Sequence, residues 1–301
     1  MQIAPEWEET IQELTKSGGI VLLVGAADTG KTTLTSSLAA EALAEHPSVA
    51  IVDADLGQST IGPPTTIGLS VLQKGTSLLE EFPAHDLYFV GDTSPFGHIL
   101  QSVVGTKRMV EEALSFNPFL VIVDTSGLVT GTLGQALKYY KAQAINPDHI
   151  VSLQRGNELR EILYTLSKSG EWKLHNLPVS SKAKHISPLI RAGVRRERFR
   201  RYFGRSNSFS LNLAGISLYP PLPDFLDRAD LLSILVSLKN RQGRVLGIGI
   251  LKELIPEQNR FEVLAPIPPE SEIFGVELGF LKVSRDGREL GRAHHHLVRS
   301  S

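Results

Sequence analysis

An open, doubly wound α/β sheet of mostly parallel strands, followed by a smaller C-terminal β-rich domain, is the fold that this sequence predicts. Three observations carry the prediction. The first two-thirds of the chain alternates short apolar runs with helix-period segments. Several of those runs are apolar on both faces, and beyond about residue 206 the pattern changes to short strands separated by turn residues.

The elements follow in chain order. Strands are expected at 20–24, 49–53, 87–90, 119–124, 149–153 and 172–177. Helices are expected at 32–44, 98–116, 133–144 and 158–167, where apolar residues recur every three or four positions. The stretch 231–268 reads as a meander turning at 240–243 and 256–259, and "RDGREL" supplies another hairpin turn. "YPPLPDF" reads as the rigid connection into this part. The expected division is 1–205, 206–291 and a flexible tail, 292–301.

At 301 residues and 42% hydrophobic, the chain can bury a real core, which excludes a disordered or fibrous protein. The absence of cysteine excludes disulfides, thiolate metal sites and a cysteine nucleophile. No run approaches a membrane-spanning length, and "MQIAPEWEET" lacks the features of a secretory signal, so a soluble cytoplasmic protein without membrane association is expected. His46, His85, His149, His175 and His185 show no ligand spacing and read as structural. The three histidines of "RAHHHLVRSS" read as part of a frayed end. Charge is unevenly spread: segment 182–205 carries nine Lys/Arg against Glu197 alone, leaving the remainder strongly acidic. Such a block meets phosphates or forms a solvated helix face.

"VGAADTGKTT" lies between an apolar strand and a helix, and Gly25, Gly30, Lys31 and Thr32 fill every fixed position of a P-loop. Backbone N–H groups from Gly25, Ala26, Ala27, Asp28, Thr29, Gly30, Lys31, Thr32 and Thr33 are expected to surround a di- or triphosphate, aided by the helix N-terminus. Lys31 should reach the β- and γ-phosphates, and Thr32 offers its hydroxyl to Mg²⁺. The loop is therefore expected to hold a nucleoside triphosphate with Mg²⁺, in a P-loop NTPase fold.

Two aliphatic runs end in acids, "VAIVDADLGQS" at Asp53 and Asp55 and "FLVIVDTSGLVTG" at Asp124. Open α/β sheets place their chemistry at such strand ends. Asp53 and Asp124 are candidates for the metal, although either could instead cap its following loop. Asp55, beyond the strand end, is the candidate to orient an acceptor hydroxyl and take its proton. "IRAGVRRERFRRYFG" could close over phosphates, where guanidinium groups suit a spreading negative charge.

Together these stretches resemble the polynucleotide 5′-hydroxyl kinases of tRNA splicing, pre-mRNA 3′-end cleavage and pre-ribosomal RNA processing, in their compact archaeal-like form. The resemblance rests on "GAADTGKTTL", "DADLGQS" with "IGPPTTIGL", "YFVGDTSPFGH", "DTSGLVTG" and "RAGVRRERFRRYFG", and on "GRVLGIGILKEL" and "VELGFLKV" for the C-terminal part. It implies transfer of the ATP γ-phosphate to the 5′-hydroxyl of RNA or DNA, with RNA-processing proteins as possible partners. It implies a lid containing Arg191, Arg195 and Arg198, with Asp55 at the 5′-hydroxyl. It implies nucleic-acid contacts at Gln58, Thr93, Ser94, Thr125 and Gly127. Leu128 stands where several eukaryotic members have a tryptophan. Trp7 could pack against the adenine or anchor a helix to the core.

Rival readings differ in what they leave unexplained. A GTPase would need an Asn-Lys-x-Asp element, which is absent. A partition- or maturation-type ATPase gives no reason for the arginine segment or the β-rich part. A non-catalytic ATP-binding scaffold for RNA processing remains an alternative, against which stand the intact Lys31, Thr32, Asp55 and arginines.

Overall fold

A computed structural model describes residues 4–76, 82–221, 228–267 and 273–293. Most of "YPPLPDF" and the histidine-bearing tail lie outside them. Among the described residues, no helix is long and apolar enough to cross a membrane.

By their contacts the residues fall into two compact units. One comprises 1–62, 67–86 and 94–187; the other comprises 63–66, 87–93 and 188–301.

The first unit opens with a 3₁₀ turn at Pro5–Trp7 and helix α1 (Glu8–Ser17), which ends where Gly18 takes φ +67. Strand β1 (Gly19–Gly25) leads into α2 (Lys31–Glu45), then β2 (Ser48–Ala54), β3 (Thr66–Gln73) and β4 (Asp86–Phe89), of which Thr66 and residues 87–89 are grouped with the second unit. There follow α3 (Ile99–Leu114), β5 (Leu120–Thr125), α4 (Gly131–Ile145), β6 (His149–Gln154), α5 (Arg160–Leu166) and β7 (Lys173–Pro178). These seven strands form one sheet in the order β4-β3-β2-β5-β1-β6-β7.

Strands β2, β5, β1, β6 and β7 run parallel to their neighbours. Every residue of β2 is buried, as a strand covered on both faces must be. The exception is β3, which pairs antiparallel with β2 from Ser48–Gln73 to Asp53–Gly68. The sequence reading placed no strand there. A continuous core fills one side of the sheet, with Trp7, Ile11 and Leu14 set against Leu34, Leu38 and Ala42 of α2.

The second unit begins with α6 (Pro188–Phe203) and continues through β8 (Asn207–Asn212), β9 (Ser217–Tyr219), β10 (Ile234–Lys239) and β11 (Val245–Ile255). It ends with β12 (Arg260–Ala265), β13 (Gly275–Val283) and β14 (Glu289–Arg292). Its sheet runs β14-β13-β10-β11-β12-β8, antiparallel throughout, with β9 adding parallel to β13. The expected turns at 240–243 and 256–259 fall between β10, β11 and β12.

Alternation along these strands sends successive side chains to opposite faces. Val236, Val263 and Leu278 join one cluster. Leu235, Leu264 and Leu281 join another, together with Phe199 and Phe203 of α6 and with Phe89. Helix α6 is thus fixed by two fully buried phenylalanines one turn apart, although most of its other residues are polar. Its charge is partly neutralised within the same unit. Arg195 donates to Glu289 at 2.5 Å, Arg196 to Asp286 at 2.6 Å, and Arg200 to Glu197 at 2.7 Å.

Candidate active site

The C-terminal ends of β1, β2 and β5 converge because β5 lies between the other two. Asp53 and Asp124 are direct partners in the β2–β5 ladder, so two carboxylates stand side by side at the sheet edge. The loop after β1 curls tightly beside them. A Cβ at Gly25 would lie 2.6 Å from Thr29 Oγ1 and 2.8 Å from the Leu153 carbonyl, and Gly30 has φ +93. Only glycine meets both conditions without strain. Asp28 also takes positive φ; its carbonyl accepts from Arg155 at 2.5 Å and its carboxylate from the Ile186 N–H at 3.0 Å.

Lys31 begins α2 and is buried. Its ammonium donates to the Gly25 and Ala26 carbonyls, at 2.9 and 2.7 Å, and burial holds its pKa below the usual lysine value. Thr32 Oγ1 donates to Asp124 Oδ2 at 2.7 Å. The other oxygen of Asp124, Oδ1, is buried with no hydrogen-bond partner. An unmatched anionic oxygen beside a P-loop hydroxyl fits the ligand set of a hard cation, for which carboxylate, hydroxyl and phosphate oxygens are the natural donors.

Asp53 is more fully occupied. It accepts from the Asp55 N–H at 2.9 Å, and from the Thr60 N–H and hydroxyl at 2.5 and 2.8 Å. These bonds shape the loop that follows β2, so the capping reading describes its contacts in this conformation. Burial, and then the nearby charges of Asp124 and Asp55, push its pKa up to about 7. Burial also raises that of Asp124. Asp55 is half-exposed, and its Oδ1 accepts the Gly57 and Gln58 N–H groups, both at 3.0 Å.

Thr125 is fully buried. Its hydroxyl donates to the Leu23 carbonyl and accepts from Lys138, both at 2.7 Å, so the side chain is not open to a ligand here. Gly127 is half-exposed and lies so near the phosphate loop that a Cβ would stand 2.5 Å from Ala27 N. Gln58 donates to the Gly57 carbonyl, and Thr93 and Ser94 are half-buried in the turns after β4. Arg191, Arg195 and Arg198, at positions i, i+4 and i+7 of α6, share one half-buried face.

Two residues here were not foreseen. Lys138 and Lys141 of α4 are buried, and burial depresses both pKa values, that of Lys141 to about 8. The Lys138 ammonium donates to Thr125 Oγ1 and, at 2.6 Å, to the Ser126 carbonyl, fixing the turn after β5. The signal was in the helix period: Gly134, Lys138, Lys141 and Ile145 form one stripe, with lysines where apolar residues are expected.

Trp7 is buried. Its indole donates to the Pro178 carbonyl at 2.9 Å, and its ring lies against Gly30. The same ring helps line a cleft of about 120 Å³ with Ala4, Gly30, Thr33, Ser180, Lys182 and Ala183. It therefore anchors the helix and also forms a wall beside the phosphate loop.

Comparison with known proteins matches residues 25–205 to the family described as mRNA cleavage and polyadenylation factor CLP1 P-loop. The polyribonucleotide 5′-hydroxyl-kinase of Pyrococcus abyssi is 33% identical over 94% of this chain and 92% of its own length. That of Pyrococcus horikoshii is 32% identical over 92% and 89%. Among solved structures, Clp1p in complex with a Pcf11p segment superposes with a TM-score of 0.69 at 16% identity, covering 90% of this chain and 76% of that one. At that identity the likeness concerns the fold.

Proposed function

Because this chain belongs to the CLP1 P-loop family, we propose that it is an ATP-dependent polynucleotide 5′-hydroxyl kinase acting on RNA. The observation that carries the reading is the cluster at the strand ends, where Thr32 is bonded to Asp124, an Asp124 oxygen lacks a partner, and Asp55 stands beyond Asp53. The relatives' names support a polyribonucleotide as acceptor.

In the proposed reaction the 5′-oxygen of the acceptor bonds to the γ-phosphorus of ATP as the bond to the β,γ-bridging oxygen breaks. The hydroxyl proton passes to the Asp55 carboxylate, and ADP leaves. Lys31 must first exchange its bonds to the Gly25 and Ala26 carbonyls for phosphate oxygens. Thr32 and Asp124 would hold Mg²⁺, which neutralises phosphate charge when bound. Asp53 acts through the loop it caps and so sets the position of Asp55. The cleft beside Trp7 takes the adenine, and the Gly127 backbone faces the acceptor strand. One or more of Arg191, Arg195 and Arg198 meets the γ-phosphate charge. Proteins of RNA processing are the expected partners.

The test is phosphate transfer from γ-labelled ATP to a 5′-hydroxyl oligoribonucleotide, with a 5′-phosphorylated oligomer as control. Asp55→Asn should retain ATP affinity while kcat falls by about a hundredfold or more. Tight ATP binding without transfer by the unaltered chain would establish the scaffold alternative instead.

A further inference from the structure

At the other end of the parallel sheet three potential metal ligands converge from separate elements. His149 opens β6 level with Val21, whereas Leu153 is level with Gly25, so the cluster lies about 13 Å along the strands from the phosphate loop. Glu13 of α1, His149 of β6 and His175 of β7 each offer one ligand atom, all within 4.8 Å of one another. Both histidines are buried, and Glu13 is half-exposed.

We propose that Glu13, His149 and His175 form a binding site for a zinc-class divalent ion, with water as the fourth ligand. His149 Nδ1 and His175 Nε2 are 3.1 Å apart. Two nitrogens bound at zinc distances in a tetrahedron stand about 3.3 Å apart, so very little movement is needed. The far nitrogen of His149, Nε2, is 3.0 Å from Ser17 Oγ. That bond can fix the tautomer that leaves Nδ1 with its lone pair, as outer hydrogen bonds of metal-bound histidines do. Glu13 lies close to the His175 ring, its Oε2 3.9 Å from His175 Nδ1.

Two imidazoles with one carboxylate favour zinc over magnesium or calcium, which prefer all-oxygen sets. Lys173, now ion-paired with Glu13, would yield its place to the ion and remain at the surface. Sequence spacing concealed the cluster because its members lie 136 and 26 residues apart. The ion would be structural. It joins α1 to β6 and β7, and the 3₁₀ turn before α1 carries Trp7, a wall of the cleft at the phosphate loop.

The test uses the full chain with His294, His295 and His296 replaced by Ala, since those residues could bind zinc themselves. Mg²⁺ in excess occupies the carboxylates near Thr32. Titration with Co²⁺ should produce the strong visible absorption of four-coordinate cobalt, saturating at one equivalent and bleached by Zn²⁺. His149→Ala should abolish the signal. Glu13→Gln, at a half-exposed position that leaves the core intact, should weaken Co²⁺ binding by about tenfold or more. Absence of the four-coordinate spectrum, or a spectrum and affinity unchanged in Glu13→Gln, would overturn the assignment.

Discussion

Asp53 and Asp124 stand side by side on two buried strands, and burial raises the pKa of both. Asp53 has a folded-state pKa of about 7 against an ordinary value of 3.8, so the folded chain holds this proton more tightly than the unfolded one. Its contribution to stability is present below pH 4 and is lost as pH rises from about 4 to about 7. Asp53→Asn removes that dependence, although its amide meets the Asp55 and Thr60 donors poorly and lowers stability overall. The unfolding free energy of the unaltered chain, measured without nucleotide, should therefore fall relative to that of Asp53→Asn across this interval. A constant difference would show Asp53 to be ionised throughout. Lys138 supports a second residue-scale prediction. Lys138→Met leaves the buried Ser126 carbonyl without its donor, a loss of about 1–3 kcal/mol partly offset by burying the thioether instead of a charge. Because the same lysine fixes the turn carrying Gly127, oligonucleotide KM should rise more than ATP KM. An equal change in both would mean that the turn does not meet the acceptor.

Helix α6 shows how an element with a polar sequence is held. Phe199 and Phe203 provide most of its buried surface, and Phe199→Ala should cost about 3–5 kcal/mol of stability by opening a cavity among Ile248, Ile250 and Leu281. Denaturant unfolding of the full chain would measure this. A loss below 1 kcal/mol would mean that the helix is held by its ion pairs. The helix was legible as a basic block, but its anchoring was not, because the two phenylalanines look sparse beside six arginines. Other elements were plainer. Aliphatic runs ending in Asp located β2 and β5, and the glycine spacing located the turn between β1 and α2. Strand β3 escaped because Gly62, Pro63 and Pro64 in "IGPPTTIGLSVLQ" read as a turn and its pairing with β2 is antiparallel, whereas an alternating pattern of strand and helix leads one to expect a crossover. The Glu13 cluster escaped for a different reason: ligands from α1, β6 and β7 become neighbours only when the sheet forms.

At the scale of the whole molecule, the division between the units does not follow the change in sequence texture near residue 206. The helix 188–203 is grouped with the antiparallel sheet, as are the short stretches 63–66 and 87–93. A chain ending at 205 would leave Phe199 and Phe203 without Leu235, Ile248 and Leu264 to cover them. It should aggregate, or melt well below the full chain, whereas a chain ending at 187 should be the more soluble of the two. Size-exclusion chromatography with thermal melts would decide, and a monomeric 1–205 fragment as stable as the full chain would show that the grouping has no energetic weight. The same anchoring constrains inheritance. If relatives exchange their C-terminal sheets by recombination, a junction after the arginines would seat one lineage's helix on another lineage's sheet, and the mismatch would fall on Phe199 and Phe203. A junction before Pro188 keeps helix and sheet as one transmissible cassette, so viable chimaeras should accumulate their crossovers there.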